Sequence, residues 1–201
     1  MQCSALTKAS NYTIRCKHQI RKQQITDVKE ILCYQHKNQS SKLIFNQQLI
    51  NQLKAIHPQS ITRSMSEKMT NLLYSKNDYE QPGILYIMKY GEYKNKDNML
   101  IKIGITTKQT TRKRQQQIAS RCKISLKILE EWVVSHPRLM EKIVFLFLKD
   151  QTCALECACK KNHTDRFILP KHTTANGLLN FNTLVQVCKV LHQQFQDPLQ
   201  H

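Results

Sequence analysis

Apolar and polar positions follow two rhythms along this chain, and the change between them divides it. From residue 41 to 57, Leu43, Phe45, Leu49, Ile50, Leu53 and Ile56 recur at three- and four-residue intervals, the spacing of one helix face. Ser40 or Ser41 is placed to cap that helix. A second helix is predicted from about residue 64 to 74, through Met65, Met69, Leu72 and Leu73. The pair reads as a helical hairpin joining two modules. A polar run beginning at Ser75 ends in Pro82-Gly83, which marks a boundary.

Beyond Gly83 the rhythm changes to that of strands. Residues 84–90 are a β-branched and aromatic run, 91–98 a turn, and 99–105 a returning strand with Leu100, Lys102 and Gly104 on one face. Thr107 or Thr110 caps a helix carrying Arg112, Arg114 and Ile118. Residues 124–134 are a third strand. Pro137 sits near the first turn of a helix that runs to about residue 149, with Leu139, Ile143, Leu146 and Phe147 on its apolar side and Glu141 within it. Residues 166–169 fit a short strand, and 178–195 a closing helix with Leu179, Leu184, Val187, Cys188 and Leu191 inward. The predicted class is α+β: a three-stranded antiparallel sheet flanked by helices over residues 83–201, behind a helical linker (41–82) and a metal-binding segment (1–40).

Charge narrows the partner. Lysine and arginine number 31 against 14 acids, a net charge of +17 over 201 residues. The excess runs through the whole chain, so it calls for an anionic partner, and nucleic acid is the expected one, through phosphate contacts and counterion release. The alternative is a soluble basic protein whose charge is incidental. No apolar run reaches membrane-spanning length, and the stretch from Met1 lacks a signal-peptide core, so the expectation is an intracellular chain without membrane attachment, the nucleus included.

In a reducing compartment the 8 cysteines read as metal ligands before disulfides. Cys3, Cys16 and Cys33 lie early; Cys122, Cys153, Cys157 and Cys159 lie late; Cys188 stands alone. The early group, with His36 in Cys-x-x-His spacing after Cys33, offers zinc three thiolates and an imidazole. A segment so polar buries little core, and metal would supply its folding free energy. The alternative makes Cys3 a terminal residue and Cys33 a small core residue.

The motifs then meet a known pattern. Gly83-Ile-Leu-Tyr86-Ile87-Met88, Lys102-Ile103-Gly104-Ile105-Thr106-Thr107, Arg114 preceding Cys122 by eight positions, Glu141 on the next helix, and Cys157-Ala-Cys159-Lys-Lys-Asn-His163-Thr-Asp165-Arg166-Phe167 follow in order. This resembles the GIY-YIG nuclease superfamily, in its phage-type DNA-binding branch also found in fungi, over roughly residues 83–170. The segment with Cys3-Ser-Ala-Leu6-Thr7-Lys8, Arg15-Cys16-Lys17 and Cys33-Tyr-Gln-His36 similarly resembles a small Cys/His finger of fungal and large-virus proteins.

The resemblance implies roles. Tyr86 would sit near the scissile phosphate as base or water positioner, Arg114 would neutralise developing charge, and Glu141 would hold one magnesium ion, with Lys102 in the second signature beside them. Lys102, Thr107, Arg112 and Arg114 would touch nucleic acid. Cys157, Cys159 and His163 would hold a structural zinc, with Cys122 as fourth ligand and Cys153 and His136 as competitors. The pattern departs at three places: Lys102 stands where a second phenol is found, Phe145 where a histidine follows the glutamate, and Arg166 where a tryptophan precedes Phe167. Each residue also has a plain reading, Tyr86 as strand core, Arg114 as one cation among many, Glu141 as a solvated partner of Lys142 or Arg138, and the cysteine loop as free thiols. Two function classes follow: a DNA-binding protein that cuts, and a zinc-dependent binding module that does not.

Overall fold

The computed structural model describes residues 6–9, 12–15, 34–74, 81–91, 93, 95–154, 157–160, 163–172 and 177–196. The chain divides into two compact units, Met1–Gln48 and Leu49–His201. In the first, β1 (Leu6–Ala9) and β2 (Tyr12–Arg15) pair antiparallel. Cys3, Cys16 and Cys33 lie outside the described residues, as does the side chain of His36, so the early metal set is not placed. Helix α1 (Tyr34–Ile56) starts earlier than the sequence predicts and takes in Ser40 and Ser41, because no glycine or proline interrupts its hydrogen-bond ladder.

The second unit is built on one antiparallel sheet. Its strands are β3 (Gly83–Tyr90), β4 (Asn98–Thr106), β5 (Leu126–Val134) and β6 (Arg166–Pro170), in the order β5-β3-β4-β6. The sheet therefore has a fourth strand beyond the predicted three, since residues 166–170 pair with β4 and register Lys102 opposite Arg166. Helices α2 (Arg63–Tyr74), α3 (Thr111–Cys122), α4 (Pro137–Leu148) and α5 (Phe181–Gln194) surround it. Capping fixes two starts: the Thr110 side chain accepts from the Lys113 amide, and Asn180 from the Thr183 amide. Lys123 then turns left-handed (φ 55°), which ends α3 and delays β5 to Leu126.

Period-two alternation sends side chains to two unlike faces. Leu85, Ile87, Ile101 and Ile103 face a large apolar core with Leu139, Met140, Ile143 and Val144 of α4, Leu184, Val187 and Leu191 of α5, Met65, Met69 and Leu73 of α2, and Leu49 and Leu53 of α1. Tyr86, Met88, Tyr90 and Leu100 face a smaller layer with Ile118 and Cys122 of α3, and Cys153, Cys157 and Cys159 pack against it. The second face thus adds phenols, a lysine and thiols to its apolar residues, where the first holds aliphatics with Trp132, Phe147 and Phe167. Among the described residues no helix is long and apolar enough to cross a membrane.

Gln151 anchors the loop that leads to the late cysteines. It sits buried in a 3-10 turn, Lys149–Gln151. Its amide nitrogen donates to Leu179 O (2.9 Å) and Ile168 O (3.2 Å), and its amide oxygen accepts from Leu179 N (2.9 Å). Gln151→Leu keeps the volume but strands those backbone groups. It is expected to destabilise the full chain by about 3 kcal/mol in urea unfolding, since each orphaned buried polar group costs roughly 1–3 kcal/mol. A change below about 1 kcal/mol would show that water replaces the amide.

Candidate functional site

Tyr86 lies at the centre of the second sheet face, 1% exposed, directly opposite Gly104 on β4. The pairing explains the glycine. A Cβ at Gly104 would stand 2.5 Å from Tyr86 Oη and 2.8 Å from Cζ, so only a residue without a side chain lets the ring lie across the strand. Gly83 plays a similar part at the start of β3, where a Cβ would meet Thr106 O at 2.7 Å, Thr107 Cγ2 at 2.9 Å and Pro137 Cγ at 3.2 Å. The two signature glycines thus press the hairpin against its own tyrosine and against the beginning of α4.

Two predicted residues, Arg114 and Glu141, and one that was not predicted, Asp165, act on this phenol. The Arg114 guanidinium, half-buried on the second turn of α3, donates to Gln117 Oε1 (3.5 Å) and lies near enough to the Tyr86 hydroxyl to favour its ionised form, and Glu141 of α4 and Asp165 lie within electrostatic reach of it. Burial raises the Tyr86 pKa, and Arg114 only partly opposes this. The phenol is therefore neutral at physiological pH. Glu141 is half-buried and partnered. Thr107 and Arg112 are exposed, beside and on α3. Lys102 points elsewhere. It is 3% exposed and ion-paired with Asp165, so it faces the loop of the late cysteines and not solvent.

That loop and the end of α3 form a second cluster. The ligand atoms of Cys122, Cys157, Cys159 and His163 all lie within 4.8 Å of one another. Cys159 Sγ is 3.8 Å from Cys122 Sγ, 3.1 Å from Cys157 Sγ and 3.0 Å from His163 Nε2, and Cys122 Sγ is 3.8 Å from His163 Nε2. A tetrahedral ion with bonds of about 2.3 Å to sulfur and 2.0–2.1 Å to nitrogen sets sulfurs about 3.8 Å apart and sulfur and nitrogen about 3.6 Å apart. The donor set fits a metal ion. The two residues weighed against Cys122 as fourth ligand lie apart from the cluster. Cys153 packs at the side of this layer, and His136 is buried at the head of α4, edge-on to Phe195 with centroids 6.1 Å apart.

The chain turns sharply after each flanking thiol. Cys122 is followed by left-handed Lys123, and Cys159 by left-handed Lys160 (φ 55°), whose amide donates to Cys157 O at 2.8 Å. A non-glycine residue holds that conformation at about 1–2 kcal/mol, so the surroundings must impose it. Burial opposes ionisation of Cys157, but hydrogen bonds from Cys159, Cys122 and Arg166 outweigh it and bring the thiol down to about 6. Burial, with Cys157 and Cys159 beside it, pushes Cys122 up. Arg166 itself is buried, 5.4 Å over the Tyr90 ring, and its contact with Cys157 holds it charged against the cost of burial.

Asp165 and Arg166 were visible in the sequence only as part of a motif. The signal that finds them is Lys102, a cation in the middle of a strand buried on both faces, which needs a buried carboxylate partner. Gly104→Ala is expected to cost about 1–3 kcal/mol by forcing the Tyr86 ring out of place. The same substitution in a Tyr86→Phe chain should cost less, because the nearest clashing atom is gone. Equal costs in the two backgrounds, read by urea unfolding, would contradict the packing described.

The second face thus brings a phenol and a guanidinium beside a thiol-imidazole cluster, all within the second unit. No curated protein and no solved structure matches the chain. The T5orf172 domain, a phage-type HNH/GIY-YIG-like, nuclease-associated domain, matches residues 83–192, from the first strand of the sheet nearly to the end of α5. The chain belongs to the T5orf172 domain family.

Proposed function

We propose that residues 83–192 form a DNA-binding domain that grips phosphodiesters along α3 and presents one of them to Arg114, which the buried Tyr86 helps to position. The observation that carries this is the character of α3 and its flanks. Lys108, Arg112, Lys113, Arg121 and Lys123 are all exposed, and no aspartate or glutamate stands between residues 107 and 123. Cations in a first helical turn oppose the helix dipole, so they favour binding an anion over stability of the isolated helix. Thr107 and Thr110 add a hydroxyl and a capped turn beside that face. Lys102 serves this reading indirectly, as a buried anchor for Asp165.

The late cluster is, in the same proposal, a structural zinc site. Four protein donors with three thiolates suit a closed tetrahedral ion. When bound, zinc would join the end of α3 to the loop before β6. A comparable site at Cys3, Cys16, Cys33 and His36 completes the reading of the amino-terminal segment.

A second reading adds cleavage, and one observation favours it: Arg114 and Glu141, from different helices, both act on the Tyr86 phenol. A neutral, buried phenol donates or accepts a hydrogen bond better than it abstracts a proton, so Tyr86 positions and does not serve as base. Arg114 would balance charge developing on a phosphoryl oxygen. Glu141 offers the single carboxylate that magnesium needs when substrate oxygens and water fill its other positions. Bound there, the ion would polarise a phosphodiester oxygen.

Binding of the full chain to duplex DNA should fall steeply with salt, log affinity against log salt having a slope of about −0.9 per phosphate contacted. Arg112→Ala and Lys113→Ala should each reduce that slope by about one. Salt-independent binding, or a double variant equal to the parent, would overturn the DNA reading. Where magnesium supports nicking of supercoiled DNA, Glu141→Ala should abolish it and leave affinity within about threefold of the parent, since one carboxylate contributes little to phosphate contacts. A parent chain that binds but never nicks with magnesium or manganese would leave binding as the whole activity.

A further inference from the structure

We propose that Asp165 is a positioning residue that holds His163 for the metal and is itself held by Lys102, so that strand β4 sets the metal affinity of the Cys122 cluster. This rests on the metal reading of that cluster and not on DNA binding. His163 directs Nε2 toward Cys159 and Cys122, which leaves Nδ1 on the opposite side of the ring, 3.8 Å from Asp165 Oδ1. Oδ1 is buried and has no hydrogen-bond partner. The other carboxylate oxygen, Oδ2, takes the ammonium of Lys102. One oxygen of Asp165 is thus satisfied from the sheet, and the other is an orphan facing an imidazole.

Metal binding resolves the orphan. An ion on Nε2 fixes the imidazole tautomer with its proton on Nδ1, and that N–H is the donor Oδ1 lacks. Hydrogen bonding in return makes the imidazole a more basic ligand and locks its ring plane. The carboxylate stays outside the set of four ligand atoms, so it does not enter the coordination shell itself. Lys102 cancels its charge, and Arg166 beside Cys157 opposes the excess negative charge of three thiolates on a divalent ion. The Asp165 backbone is pinned as well, since its carbonyl accepts from Ile103 N at 3.1 Å. Lys102 and Ile103 are neighbours on β4, so one strand fixes both the main chain and the side chain of Asp165. This also gives the lysine in the second signature a use: it is the cation that orients a metal ligand through Asp165.

The test is metal affinity of the full chain, measured by competition with a chromophoric chelator for zinc and by the thiolate charge-transfer bands of the cobalt(II) form. A Cys159→Ser chain identifies which bound metal belongs to this cluster. Asp165→Asn should weaken that metal roughly 10–100-fold with the cobalt bands unchanged in position, because the ligands remain and only their orientation is lost. Lys102→Met should weaken it comparably, and the double variant should be no weaker than the worse single one, as for residues acting through one another. Affinity of Asp165→Asn within about threefold of the parent, or additive losses in the double variant, would overturn the proposal. A readout that needs no variant is the nitrogen NMR of His163 in the zinc-loaded parent, where the proton should sit on Nδ1; a proton on Nε2 would overturn it equally. A parent that takes up no metal at this cluster would instead sink the zinc reading on which the inference rests.

Discussion

The second face of the sheet is closed by a smaller apolar layer than the first, and much of the second unit follows from how it is closed. One face buries aliphatic side chains against α2, α4 and α5 in the ordinary way. The other carries Tyr86, Tyr90, Lys102 and Gly104, and its cover is a single basic helix with little apolar surface of its own. Ile118 and Cys122 are the apolar contacts α3 brings to the layer. In our proposal a metal ion held by Cys122, Cys157, Cys159 and His163 adds to that adhesion, by tying the last residue of α3 to the loop before β6. Arg114 lies eight residues before Cys122 on the same helix, about 12 Å along its axis. Whatever holds Cys122 therefore also sets how Arg114 meets Tyr86.

Charge is handled on the same plan. A chain of net charge +17 repels itself, and its buried cations are tolerated only where an acceptor is built in. Lys102 has Asp165, Arg166 has Cys157 and the Tyr90 ring, and Arg114 has Gln117 beside the Tyr86 hydroxyl. The cations of α3 that have no such role are left on the outside, where a polyanion reaches them. Buried pairs shape the site, and exposed charges, in our proposal, recruit the ligand.

Much of this was legible in the sequence. The alternation of Leu85 with Tyr86 and of Ile101 with Lys102 gives the hairpin and its two unlike faces, and Thr110 and Pro137 mark the starts of α3 and α4. The strand over residues 166–169 was legible as well, but its place as the fourth strand of the sheet was not, because that rests on its register with β4, far away along the chain. The spacing of Cys157, Cys159 and His163 is local and was readable, whereas Cys122 comes from a helix 37 positions away and rested on family likeness. The task of Lys102 was hidden for the same reason: its partner stands 63 positions along the chain, and only tertiary structure joins them. The meeting of Arg114 with Tyr86 depends on helix placement, which no local periodicity encodes.

The central claim is that a metal ion closes the second face. Anomalous scattering from a crystal of the full chain, recorded on either side of the zinc absorption edge, tests it most directly. The account predicts a peak enclosed by Cys122, Cys157, Cys159 and His163, about 2.3 Å from each sulfur and about 2.0–2.1 Å from the imidazole nitrogen. Density showing those thiols reduced, apart and without an anomalous peak, while α3 keeps its place over Tyr86, would contradict it.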